Sequence, residues 1–127
     1  MADINNDGHL DVILGSYAYG QSVVVFAGNG DGSLQPAQPS GYRPVVDIQL
    51  TDVNGDGRLD VAAITNRDNG SDVLVFSGDG TGNFTLRDTY AECSEPFQIL
   101  ATDVNGDGKP DLIVGNAALE VLINTTQ

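Results

Sequence analysis

The sequence predicts an all-β chain built from β-propeller blades of four antiparallel strands. It carries about two and a half of them, a partial propeller. Three observations lead there. A nine-residue acidic turn of the form D-x-N-x-D-G-x-x-D occurs three times, at Asp3 to Asp11, Asp52 to Asp60 and Asp103 to Asp111. The turns start 49 and 51 residues apart, which is the repeat length of a four-stranded blade. Between them run short β-branched segments punctuated by sixteen glycines, with no stretch of helical periodicity.

The middle unit, residues 43–92, shows a whole blade. From Val45 to Val53, Val46, Ile48 and Leu50 alternate with Asp47, Gln49 and Thr51, the two-residue period of an inner strand entering the acidic turn. Val61 to Thr65 is the second strand. A polar turn from Asn66 to Ser71 leads to a third strand, Asp72 to Ser77. The glycine turn Gly78 to Gly82 then leads to a fourth, Asn83 to Tyr90. The flanking units are incomplete. Residues 1–42 supply a stub at Met1-Ala2, a second strand at Val12 to Leu14, a third at Ser22 to Ala27 and a weak fourth near Leu34 to Gln38. Pro36 and Pro39 confine that fourth strand to an edge. Residues 93–127 supply an inner strand (Phe97 to Val104), a second (Leu112 to Val114) and a third (Leu119 to Ile123).

The acidic turns have the chemistry of a calcium loop. Oxygen-bearing side chains at positions 1, 3 and 5, with glycine at 6, let the chain wrap a hard cation while it turns sharply. The expected ligands are Asp3, Asn5, Asp7 and Asp11 in the first loop, Asp52, Asn54, Asp56 and Asp60 in the second, and Asp103, Asn105, Asp107 and Asp111 in the third. The backbone carbonyls of His9, Arg58 and Lys109 complete the sets. About three Ca²⁺ per chain follow. A helix-loop-helix calcium site would need a carboxylate at position 12, where this chain has Leu14, Ala63 and Val114, so each loop joins strands instead. A plain glycine turn is the competing explanation of any one copy; a plain turn has no use for the ninth-position aspartate, which recurs in all three.

These loops, the hairpins VVVFAGNGDG and VLVFSGDGTGNF, and the tail VLINTT resemble the FG-GAP/VCBS repeat family over nearly the whole chain. Those are the calcium-loop blades of integrin α-subunit heads, certain fungal lectins and many bacterial surface proteins. The resemblance implies a propeller blade fold and calcium in the loops. It does not imply a ligand, because adhesion, sugar binding and scaffolding all occur on such blades. The Phe-Gly and Gly-Ala-Pro elements that name the family are absent, and position 3 is Asn rather than Asp.

Charge narrows the partners. Eighteen acidic residues against five basic ones give a formal net charge of −13 in 127 residues, which argues against nucleic acid or an anionic membrane surface. Nine of the acids lie in the three loops, so calcium would neutralise much of a repulsion that otherwise weakens the fold. One cysteine, Cys93, allows no intrachain disulfide and reads as a small filler. No apolar run is long enough to span a membrane, and Met1 is not followed by a basic-then-apolar leader.

Other features read as structure. Gly28 to Gly32 and Gly78 to Gly82 lack a following helix and are hairpin turns rather than phosphate cradles. His9, the single histidine, is expected to point to solvent from its loop, and no catalytic set assembles around it. Tyr17 and Tyr19 are expected to pack over a blade edge; exposed, they would offer rings for stacking on a sugar. Asn69, Asn83 and Asn124 open glycan-acceptor triplets. The expected function is therefore a calcium-binding propeller module for binding or display, secreted or at the cell surface, with a carbohydrate or protein ligand and no enzymatic activity. The alternatives are part of an extracellular carbohydrate-active enzyme, or a propeller fragment whose partners are calcium and its own copies. Bare blade faces predict self-assembly or the remainder of a longer propeller.

Overall fold

The computed structural model describes residues 1–65, 71–93 and 95–126, with the backbone alone over 91–93. Ten strands are present among the described residues: β1 (Val12–Gly15), β2 (Val23–Phe26), β3 (Gln38–Ser40), β4 (Val45–Thr51), β5 (Asp60–Thr65), β6 (Ser71–Gly78), β7 (Phe84–Cys93), β8 (Gln98–Thr102), β9 (Asp111–Gly115) and β10 (Leu119–Leu122). They form three antiparallel meanders, β1-β2-β3, β4-β5-β6-β7 and β8-β9-β10. The chain is all-β, with a four-stranded blade between two three-stranded ones. No helix among the described residues is long and apolar enough to cross a membrane. The polar turn from Asn66 lies outside the described residues over 66–70, as do the Asn69 acceptor site and the side chain of Cys93.

The sheets stack face to face. Ile13, Val23 and Val25 of the first sheet meet Val45, Val61, Ala63, Leu74 and Phe76 of the second in one apolar cluster. The opposite face of the second sheet, with Ala62, Ile64, Val73 and Val75, meets Ile99, Leu112 and Val114 of the third. This is why every residue of β5 is buried: odd residues of Val61 to Ile64 serve one interface and even residues the other. The packing leaves no slack at the first interface, where a Cβ on Gly15 would come within 3.0 Å of Val45 Cγ2. A carboxylate stitches the second interface, as Ile99 N donates to Asp47 Oδ2 at 2.9 Å.

One detail differs from the sequence reading. The fourth strand of the first unit is Gln38–Ser40, not a run from Leu34; Leu34 makes only an isolated bridge to Gly28. Pro39 sits within β3 because β3 pairs with β2 alone, so its missing N–H faces the open edge. The inner stub of the first unit is a single bridge from Ala2 to Asp11.

Candidate functional site

Because each sheet is a meander, successive connections alternate between its two ends. The three acidic loops connect inner to second strands, and the glycine turns connect third to fourth, so all lie at one end.

Within each loop the same hydrogen bonds recur. The carboxylate at position 1 collects backbone N–H groups from positions 5 and 6: Asp3 from Asp7 and Gly8 (3.1 and 2.9 Å), Asp52 from Asp56 and Gly57 (3.1 and 2.8 Å), Asp103 from Asp107 and Gly108 (3.2 and 2.8 Å). The asparagine at position 3 accepts from the N–H of position 5 and donates to its carboxylate, as Asn54 does to Asp56 at 2.9 and 3.2 Å. The carboxylate at position 5 in turn accepts the N–H of position 7, Asp7 from His9 at 2.8 Å, Asp56 from Arg58 and Asp107 from Lys109 at 2.9 Å. The turn needs left-handed backbone at positions 4 and 6. Glycine supplies it everywhere except Asn6 (φ 58°), the side chain that tolerates that region best.

Hydrogen bonds to the charged form favour ionisation at two of these acids, Asp7 and Asp103. The His9 N–H, then the Asn5 side chain, lower the pKa of Asp7; the Gly108 N–H does the same for Asp103. Side chains at positions 1, 3 and 5 thus come together on an open loop, an oxygen-only set suited to a hard cation. Among the described residues no three His, Cys, Asp or Glu side chains form a metal-holding group; an asparagine stands at position 3, and the ninth-position carboxylate bonds the N–H of position 2.

That aspartate is the most informative residue of the motif. Asp11, Asp60 and Asp111 are 1%, 0% and 0% exposed. One carboxylate oxygen takes the N–H of position 2 (Ile4, Val53 and Val104 at 2.8, 3.0 and 3.0 Å). The other takes an N–H at the end of the third strand, from Gly28, Gly78 and Asn124 at 2.9, 3.0 and 2.8 Å. Position 9 therefore staples the loop to a strand 13 to 18 residues downstream. Sequence reasoning saw a shell-closing ligand and missed the staple, since the partner is fixed only by sheet register. For Asp60, desolvation raises the pKa, and the Gly78 and Val53 amides work against that rise. Each oxygen holds one N–H and keeps a lone pair.

The third loop departs from the other two. A Cβ on Gly28 or Gly78 would lie 2.1 Å from the carbonyl oxygen of Leu10 or Leu59, so only glycine fits. In the third repeat Asn124 stands at that point, and its Nδ2 donates to Pro110 O and Val53 O at 3.0 and 2.8 Å. Its glycan-acceptor nitrogen is thereby used internally. The Asn83 nitrogen is likewise committed, to Asp79 and Thr81. The His9 side chain is exposed, as expected, and its ring passes beside the neighbouring hairpin, where a Cβ on Gly30 would meet it at 2.4 Å. The Asp31 and Asp79 carboxylates fold the glycine turns. The Thr81 hydroxyl and N–H lower the Asp79 pKa to about 2.

A family model described as an FG-GAP-like repeat matches residues 3–63 and again 52–114, each match running from one acidic loop into the strand after the next. The chain belongs to the FG-GAP-like repeat family. Among curated proteins these FG-GAP-like repeats are similar to phosphatidylinositol-glycan-specific phospholipase D. The mouse protein is 31% identical over 151 aligned positions, covering 91% of this chain and 17% of that protein. The bovine and human proteins are 30% and 29% identical, each with 91% of this chain and 18% of theirs. The chain thus spans less than a fifth of the length of these relatives. No solved structure matches it.

Proposed function

We propose that this FG-GAP-like repeat chain is a calcium-stabilised blade module for binding or display outside the cell. The observation that carries the reading is the threefold recurrence of one oxygen-only loop with the same internal hydrogen bonds. Asp and Asn side chains at positions 1, 3 and 5 would hold the ion, with the carbonyls of His9, Arg58 and Lys109. Asp11, Asp60 and Asp111 would lend a remaining lone pair while keeping their backbone bonds. Calcium would neutralise carboxylates crowded on one end of the sheets. Loops built from single residues of this kind suit the millimolar calcium found outside cells, which supports a secreted or surface location. Calorimetric titration of chelator-treated protein tests this directly. Heat of binding near three equivalents is expected, and no heat with correctly folded protein would overturn the reading.

The relatives bear the name of a phospholipase, but the match covers under a fifth of them. We read the repeats as a part that binds rather than one that catalyses. The outward faces of the terminal sheets, with Leu14 on one and Leu100, Leu119 and Val121 on the other, are exposed and apolar. They support packing against a further blade, in a longer protein or a second copy, and light scattering distinguishes a monomer from an assembly.

A further inference from the structure

The end of the sheets opposite the acidic loops has a different chemistry. The β1–β2 connection, Ser16 to Ser22, and the β3–β4 connection, Gly41 to Pro44, lie there side by side, and neither contains a carboxylate. Two hydrogen bonds join them, Ser22 Oγ to Arg43 O (2.7 Å) and Arg43 N to Ser22 Oγ (3.0 Å), and two more tie the first connection to the flanking strands, Ser22 N to Ser40 O of β3 (2.9 Å) and Val45 N of β4 to Ser16 O (2.8 Å). From this stitched pair three tyrosines project into water, Tyr17 at 68%, Tyr19 at 95% and Tyr42 at 62% exposure. The expectation that Tyr17 and Tyr19 pack over a blade edge fails, because their connection runs past the end of the strands. Arg43 braces Tyr42, its guanidinium carbon 5.7 Å from the ring centre, and pairs with Asp72 at 2.5 Å. Arg43 Nε is buried without a hydrogen-bond partner among the described residues.

We infer that Tyr17, Tyr19 and Tyr42, with the Arg43–Asp72 pair beside them, form a binding site for a neutral saccharide. Three large rings left in water on a hydrogen-bonded platform have no packing purpose. The residues between them are small or polar (Ser16, Ala18, Gly20, Gln21), so the surface is no apolar groove for a lipid chain or an amphipathic helix. Flat rings suit the C–H face of a pyranose, while tyrosine hydroxyls, the Gln21 amide and the ion pair offer donors and acceptors to its hydroxyl rim. A formal charge of −13 disfavours anionic sugars.

This inference deepens the binding role proposed above without resting on calcium in the loops. The chain has no tryptophan and four tyrosines, so its intrinsic fluorescence reports mainly on this site. The experiment titrates folded, calcium-loaded protein with neutral gluco-, manno- and galacto-oligosaccharides and, in parallel, an oligouronate. A change in tyrosine emission with at least one neutral series is expected. The double variant Tyr17→Ala/Tyr19→Ala, with both side chains outside the core, is expected to weaken it at least about tenfold at an unchanged melting temperature. Asp56→Ala, which touches only an acidic loop, is expected to retain saccharide affinity wherever it remains folded, so loss of calcium and loss of the sugar site read out separately. Absence of response to every neutral series, preference for the oligouronate, or equal affinity in the double variant would overturn the assignment.

Discussion

The two halves of each acidic loop occupy nine consecutive residues yet do different work. Positions 1 to 7 lie largely open to water and bond mostly to one another, whereas position 9 is sealed in and bonds to a distant strand. A single motif thus joins a cation-ready surface to a structural staple. The difference teaches that recurrence of a residue does not assign it one role: Asp56 and Asp60 are four residues apart, and only Asp60 is buried.

If the open half carries calcium, stripping the metal has the largest effect. Occupancy at about a hundredfold over the dissociation constant contributes about 2.7 kcal/mol per site. Chelator should therefore lower the melting temperature of the intact chain markedly, and an unchanged melting curve in demonstrably metal-free protein would remove calcium from the account. The buried half should fail even without metal. Asp60→Ala leaves the Val53 and Gly78 amides unpaired and is expected to cost about 3 kcal/mol, roughly 10 °C, in chelator, and more in calcium, where an ion ligand is lost as well. Asp56→Ala should cost little once chelator is present, so equal losses for the two variants in chelator would erase the distinction.

Gly78→Ala comes next. The new Cβ would meet Leu59 O, and the staple would have to shift at a cost of about 2 kcal/mol, read in denaturant melts. Asp79→Ala is the smallest. Its carboxylate is exposed, so about 0.5 kcal/mol is expected after solvent screening. Its pKa is lowered to about 2 by Thr81, below the unfolded value near 3.9, so the stabilisation is present above about pH 4 and lost as pH falls towards 2. The gap between the intact chain and Asp79→Ala should therefore close on acidification; a gap that widens instead would contradict the assigned hydrogen bonds.

The sequence by itself determined what depends on short-range chemistry. Strand period, glycine turns and the internal hydrogen bonds of D-x-N-x-D-G are set within a few residues, so the ten strands, their order and the loops were legible. Only the tertiary structure decided the rest. It alone turned Asp11, Asp60 and Asp111 towards amides 13 to 18 residues away, since that pairing exists only once sheet register is set. It moved the fourth strand of the first unit to Gln38–Ser40, where Val23 to Val25 could pair with it. Stacking likewise buried both faces of β5 and left Tyr17 and Tyr19 beyond the end of the sheet. Burial is a property of what lies opposite a residue, and nothing local in the chain records that.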